Sequence, residues 1–98
     1  MLSKSWYVYI GESWVGTLHP TSADDQWVQA DFEEGDAWGN FAPWFIKAAD
    51  AYQAGDEAEW QNWTSQLAAM GLNLRADDGE NYASPTIIVD GSQAWFAV

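Results

Sequence analysis

The stretch PWFIKAADAYQAGDEAEWQNWTSQLAAMG, residues 43–71, has the most regular pattern in the chain and predicts two helices joined by a glycine turn. Pro43 suits a first helical position, and Gly55 ends the first helix. The apolar face of that helix consists of Trp44, Phe45, Ala48, Ala49 and Tyr52. The rest of the chain therefore has to supply the surface against which this helical hairpin packs.

The second helix has a defined start and a defined end. We expect the Asp56 side chain to accept a hydrogen bond from the amide of Glu59 while Glu59 reaches back, because the first amides of a helix have no helical partner. Gly71 supplies a left-handed cap at the other end. The apolar stripe between these two ends consists of Trp60, Trp63, Leu67 and Met70.

Three β-strands are predicted before the helices. Residues 6–10 and 14–18 are rich in β-branched and aromatic side chains and form a hairpin. Residues 19–25 are typical of a loop, because proline lacks an amide donor and short polar side chains compete for backbone amides. Residues 26–33 alternate apolar and polar side chains and form the third strand, and two glycines make residues 34–40 a linker.

Three more strands are predicted after the helices. Residues 72–75 alternate as a strand, and an acidic turn at 77–81 continues as a loop to Pro85. Residues 86–89 form the next strand, and Asp90-Gly91 predicts a type I′ turn before a last strand over residues 92–98.

The order βββ-αα-βββ predicts the fold class. Strands that pair as hairpins on both sides of a helical pair favour an α+β fold, with an antiparallel sheet of about six strands and the helical hairpin packed on one face. We expect one domain over residues 1–98, because a chain of this length closes a single core.

Charge and cysteine content exclude several classes of function. The sequence has no cysteine, which excludes disulfides and thiolate chemistry and favours a cytoplasmic protein. The start, Met1-Leu2-Ser3-Lys4, lacks the apolar region of an export signal, and no apolar run approaches bilayer length.

Fifteen acidic residues against three basic ones give a net charge of −12, so we expect no direct binding to nucleic acid or membranes. Basic proteins would be attracted, although a role of the acidity in solubility explains the same composition.

Eight tryptophans exceed what one small core encloses, so some rings should face solvent. Strand alternation places Val28, Ala30 and Phe32 inward on the third strand, with Ala94, Phe96 and Val98 inward on the last. The predicted outer interaction surface consists of Tyr7, Tyr9, Trp27, Gln29, Asp31 and Trp95. An alternative is that these rings only stabilise the sheet through cross-strand pairs, or that the loops at 34–40 and 77–85 cover them. A one-residue shift of register would invert the faces.

Catalytic and metal-binding patterns are weak. His19 is the one histidine and lies in the predicted loop, where an ordinary surface role suffices. Asp77-Asp78-Gly79-Glu80-Asn81 clusters oxygen ligands but lacks the spacing of a calcium loop, so a solvated turn is preferred. Asn62-Trp63-Thr64 matches a glycosylation sequon in the middle of a helix. We therefore expect no enzyme, no metal and no cofactor.

Two functions remain from the sequence. The first is a protein-interaction module that recognises a basic protein partner, or a second copy of itself, through the aromatic, acid-rimmed sheet face. In size, acidity and lack of catalytic motifs the chain resembles small acidic inhibitors such as immunity proteins and phage proteins that imitate DNA. The second is a small-ligand binder, in which Trp38, Trp44 and Trp60 line a pocket for a sugar or another flat ligand.

Overall fold

The computed structural model describes residues 4–83 and 85–97 and contains one antiparallel sheet and a helical hairpin, in the order βββ-αα-ββββ. The strands are β1 (Trp6–Ile10), β2 (Ser13–Ala23), β3 (Val28–Glu34), β4 (Leu72–Ala76), β5 (Asn81–Ala83), β6 (Thr86–Asp90) and β7 (Gln93–Ala97), and the helices are α1 (Trp38–Gln53) and α2 (Glu57–Ala69). The predicted α+β class is confirmed.

The sheet is curled. Its strand order is β5-β4-β1-β2-β3-β7-β6, so the two edge strands, β5 and β6, follow each other in the chain. Ala83 and Thr86 are three residues apart, and three peptide units of 3.8 Å span at most about 11 Å. The ring centroids of Trp6 on β1 and Phe96 on β7 lie 6.5 Å apart, although two strands separate β1 from β7. The face that carries these rings is therefore concave.

The hydrophobic core lies on this concave face. Cross-strand neighbours such as Val8 and Leu74 are fully buried there, and Phe45 of α1 and Leu67 of α2 join the same cluster. Helix α1 packs against β6 and β2, and α2 packs against β4. The helical hairpin thus covers the concave side and leaves an outer face, which carries the opposite side chains of each strand.

The predicted caps of the hairpin are confirmed in their main parts. The Glu59 amide donates to Asp56 Oδ1 at 3.2 Å. The Asp56 amide donates instead to the Ala51 carbonyl, so the reciprocal half of the capping box does not form. Gly55 and Gly71 adopt φ angles of 74° and 92°, a left-handed conformation that glycine reaches without a steric penalty.

The start of α1 corrects the prediction. The helix begins at Trp38 rather than Pro43, so Pro43 lies inside it and most of the predicted 34–40 linker is helical or belongs to β3. The Trp38 ring lies 4.9 Å from Phe32 and 5.3 Å from Phe45, centroid to centroid. This packing favours an early helix start in spite of Gly39 and the internal proline.

The predicted 19–25 loop is also wrong for most of its length. Strand β2 continues to Ala23 and pairs with β3, which runs from Val28 to Glu34 rather than over residues 26–33. The register shifts between Pro20 and Ser22, so Thr21 is the extra residue of a bulge. A bulge tolerates proline because its ladder hydrogen bond is already interrupted.

The C-terminal β segment holds one strand more than predicted. Residues 81–83, expected to be loop, form the edge strand β5, so the sheet has seven strands rather than six. In the last hairpin Asp90 pairs with Gln93, which makes Gly91 and Ser92 the central turn residues instead of Asp90-Gly91. Gly91 has a φ of 64°, as a tight hairpin turn requires at that position. Val98, expected at the end of the last strand, lies outside the described residues.

Candidate functional site

The outer face carries most of the predicted interaction residues, but in two separate places. Tyr7 and Tyr9 lie on β1, whereas Trp95 lies on β7 and pairs directly with Gln29 of β3. Three strand spacings separate β1 from β7, or about 14 Å at 4.8 Å each. Asp31 lies between them, opposite His19 and Gln93. The four predicted rings therefore do not form one continuous patch.

The first place, named here the β1 patch, consists of Tyr7, Tyr9 and Arg75. The Arg75 guanidinium lies 4.1 Å from the Tyr9 ring centroid, and Nη2 donates to Gly11 O at 3.1 Å and to Glu12 Oε1 at 3.3 Å. The neighbouring Asp77 carboxylate raises the pKa of the Tyr7 hydroxyl as a hydrogen-bond acceptor. Contacts within the chain thus engage the charge of Arg75 in this patch.

Lys4 is held in a similar way beside the β1 patch. Its Nζ lies 4.9 Å from the Trp6 ring centroid, 2.9 Å from Asp78 Oδ2 and in contact with Glu80 Oε1. Hydrogen bonds to Glu80 and then Asp78 raise the pKa of Lys4. The pKa values of both carboxyls are lowered, chiefly by Lys4. All three groups are therefore charged over the whole neutral range.

The second place is a cavity of about 320 Å³ at the β6–β7 edge, named here the aromatic cavity. It is lined by Asp24, Trp27, Tyr52, Gln53, Ile88 and Trp95. The rings of Trp27 and Tyr52 stand edge to face, with centroids 6.2 Å apart and planes at 71°. Tyr52 is 45% exposed, while Trp27 and Trp95 are half-buried. Solvent therefore reaches an aromatic wall built from three elements.

Strand register and a tight turn bring the sheet side of the cavity together. Ile88 pairs with Trp95, so both side chains point to the outer face. Trp27 comes just before β3, and its amide donates to Asp24 Oδ1 at 2.7 Å, as does the Gln26 amide at 2.8 Å. These two bonds lower the pKa of Asp24. The turn thus fixes Trp27 and keeps an ionised carboxylate at the rim.

The end of α1 forms the other side. Gln53 Nε2 donates to Asp90 Oδ2 at 2.9 Å, which ties the helix end to the β6–β7 hairpin. Ile88 is only 3% exposed although it points to the outer face, and Tyr52 and Gln53 line the same cavity. Helix α1 therefore reaches around the sheet edge and covers part of the outer face, beyond the single sheltered face that the sequence predicted.

A second cavity of about 290 Å³ lies on the other side of Tyr52. It is lined by Ala51, Tyr52, Gly55, Asp56, Glu57 and Trp60. The Tyr52 and Trp60 rings are 5.2 Å apart at 61°. Trp60 Nε1 is buried and has no hydrogen-bond partner among residues 4–83 and 85–97. A row of rings thus runs from Trp27 through Tyr52 to Trp60.

His19 lies in β2 rather than in a loop and takes part in a polar row. Its Nδ1 is 3.2 Å from Ser5 Oγ, and its Nε2 is 3.0 Å from Glu33 Oε1. The side chains of His19 and Glu33 are 46% and 63% exposed. This polar row stands in open solvent. It fits cross-strand polar pairing on the outer face.

The acidic turn between β4 and β5 uses its own oxygens. Asp78 Oδ1 accepts from the Glu80 amide at 3.0 Å, as in an ordinary turn. Within the described ranges no three histidine or acidic side chains are placed to share a metal ion. In the same part of the chain, neither helix has the length and apolarity needed to cross a bilayer.

Among the cavities formed by residues 4–83 and 85–97, none described is lined by more than one of the three tryptophans predicted for a ligand pocket. Trp38 packs between Phe32 and Phe45, and Trp44 Nε1 donates to Gln66 Oε1 at 3.3 Å. Trp60 alone of the three lines the cavity beside Tyr52. The pocket proposed from sequence is therefore divided between the core and the surface.

Four residues of the aromatic cavity were missed by sequence reasoning, namely Asp24, Tyr52, Gln53 and Ile88. The sequence pattern predicts Tyr52 in the apolar face of the first helix, but the residue is 45% exposed and projects at the sheet edge. A signal for Asp24 does exist, because an aspartate three residues before Trp27 is typical of a turn that caps its own amides. Nothing in the sequence pairs Tyr52 with Trp27.

No family model, curated protein or solved structure matches this chain. What the site binds must therefore follow from its geometry and charge.

Proposed function

We propose that this chain is a protein-interaction module that binds a basic protein partner through the aromatic cavity and the outer face around it. The observation that carries the proposal is the cavity itself, in which the rings of Trp27, Tyr52 and Trp95 are open to solvent beside the ionised Asp24. Aromatic anchors in a concave site with a charged rim are typical of the energetic centre of protein interfaces.

The charge distribution supports a basic partner. Two of the three basic residues of the sequence, Lys4 and Arg75, are engaged with Asp78, Glu80 and Glu12. The rest of the chain carries twelve carboxylates against Lys47 alone, and this excess of eleven negative charges attracts cationic proteins and speeds their encounter. The same excess opposes contact with a second copy of the chain, which makes a homodimer the less favoured form of the proposal.

Selection from a displayed library of random peptides tests this function. The full chain serves as bait at about 0.15 M salt, and the double variant Trp27→Ser, Trp95→Thr serves as counter-bait. We expect the enriched peptides to be net positive, to bind the variant at least about tenfold more weakly, and to lose affinity at 0.5 M salt because the pairing is partly electrostatic.

Peptides without net positive charge, or peptides that bind the variant equally well, would contradict the proposal. The alternative, a small-ligand binder for a sugar, predicts instead a change of tryptophan fluorescence with a panel of glycans that the double variant loses. Light scattering of the free chain measures its molar mass in solution, which shows whether the chain self-associates. A non-enzymatic, cytoplasmic protein, as expected from the sequence, is part of the same proposal.

A further inference from the structure

The chain holds two of its own basic side chains with the same device, an aromatic ring together with a carboxylate. The Arg75 guanidinium lies 4.1 Å from the centroid of Tyr9 and 3.3 Å from Glu12 Oε1. Lys4 Nζ lies 4.9 Å from the centroid of Trp6 and contacts the carboxylates of the β4–β5 turn. A ring face and a carboxylate stabilise a cation together, because both present negative potential.

The aromatic cavity has the same wall chemistry, but its lining residues include no basic side chain. Its rings come from Trp27, Tyr52 and Trp95, and its carboxylate from Asp24. Both amides that donate to Asp24 reach Oδ1, so Oδ2 is the oxygen available to a ligand. The cavity thus offers a cation from another molecule the combination of ring and carboxylate that Tyr9 and Glu12 give to Arg75.

We propose, building on the function above, that the aromatic cavity is the anchor site for an arginine side chain of the basic partner. A guanidinium is planar, stacks on aromatic faces and donates two parallel N–H groups to a carboxylate, whereas an ammonium is a compact and strongly hydrated charge. Trp27 and Tyr52 form an edge-to-face pair, in which one ring points its edge at the other ring. Neither face of that first ring is covered by its partner, so a guanidinium can stack on it. The volume of about 320 Å³ is at the small end for ligand pockets, as suits one side chain.

Blocked amino acids test the assignment on the full chain without knowledge of the partner. N-acetyl-arginine N-methylamide is titrated into ¹⁵N-labelled protein, and the indole N–H signals are followed by NMR. We expect the Trp27 and Trp95 signals to shift, and the citrulline analogue, which has the same shape without the charge, to bind at least about tenfold more weakly. The lysine and trimethyl-lysine analogues should bind more weakly than arginine as well.

Two matched variants separate a specific carboxylate from general acidity. Asp24→Asn keeps an oxygen that can accept from the Gln26 and Trp27 amides, but it removes the charge at the cavity. Asp25→Asn removes the same charge from the neighbouring residue, which is not among those that line the aromatic cavity. We expect arginine affinity to fall about fivefold in Asp24→Asn and less than about twofold in Asp25→Asn.

Four results would overturn the arginine assignment: no shift at Trp27 and Trp95, shifts confined to the β1 patch, equal binding of citrulline, or tighter binding of trimethyl-lysine. Each of them leaves the interaction function intact if the selected peptides are still basic and still depend on the two tryptophans. Failure of the function itself is seen in the peptide selection, which does not depend on which basic side chain enters the cavity.

Discussion

The β1 patch and the aromatic cavity lie on the same outer face and combine the same groups, but only one of them is complete. In the β1 patch, Arg75 of β4 lies on the Tyr9 ring and meets Glu12. At the β6–β7 edge, the rings of Trp27, Tyr52 and Trp95 surround a cavity that no basic residue lines. From this difference we propose two roles for the aromatic residues beside carboxylates on this surface. Those of the β1 patch stabilise the fold, and those of the aromatic cavity bind a partner.

Replacement of each ring pair is expected to separate these roles most strongly. Trp27→Ser with Trp95→Thr should weaken binding of a selected basic peptide at least about tenfold, because central aromatic anchors dominate interface energies. Tyr7→Ser with Tyr9→Thr should change that affinity less than about twofold. Binding is measured by isothermal titration, after circular dichroism and thermal melting show that each variant is folded.

If Tyr7→Ser with Tyr9→Thr prevents folding, the milder single variant Tyr9→Leu is used in its place. Equal losses of affinity from both ring pairs would mean that the partner spans the whole outer face. The distinction between the two regions would then disappear.

A smaller effect is expected from a double-mutant cycle on Tyr9 and Arg75. This effect concerns the free energy of unfolding rather than the affinity for a peptide. Arg75→Gln and Tyr9→Leu remove the two partners singly and together, and the unfolding free energies come from urea titrations. We expect a coupling energy of about 0.5–1 kcal/mol, typical of a cation–π contact at a partly exposed site. A coupling near zero would mean that the contact does not stabilise the fold, so that the β1 patch would no longer differ from the cavity in this respect.

The smallest effect is expected from pH at the Lys4 cluster. Lys4 lowers the folded-state pKa values of Asp78 and Glu80 below their ordinary values of 3.8 and 4.5. Their contribution to stability is therefore fully present above those ordinary values and is lost as the pH falls through the lower, folded values. Because the pairs are exposed, salt screens them.

Comparison of wild type with Lys4→Met over the acid range measures this contribution. The difference in urea midpoint should be small at pH 7 and should shrink toward zero in strong acid. A difference that persists unchanged on acidification would show that Lys4 acts through its contact with Trp6, which does not titrate in this range, rather than through the two carboxylates.

Local rules predicted the parts of the fold that depend on short-range chemistry. Asp56 and Gly71 mark the ends of α2 because their capping geometry involves only neighbouring residues. Alternation placed Tyr9 and Trp95 on the outer face because side chains of a strand alternate without exception unless a bulge intervenes.

The remaining features depend on contacts between distant segments. Strand β5 has three residues and exists only because β4 offers it a free edge. The extension of β2 past Pro20 depends on pairing with β3 and on a bulge. The aromatic cavity requires the end of α1 to pass around β6, so that Tyr52 meets Trp27. No pattern within either segment encodes that meeting.

The short connection between the two edge strands has a consequence for any partner. Because Ala83 and Thr86 are linked through only two residues, the sheet cannot flatten without breaking its outermost pairings. The surface presented to other molecules is therefore convex, and the connection keeps it so. A protein that contacts the β1 patch and the aromatic cavity at the same time must have a concave binding surface. A protein with a flat binding surface can contact only one of them.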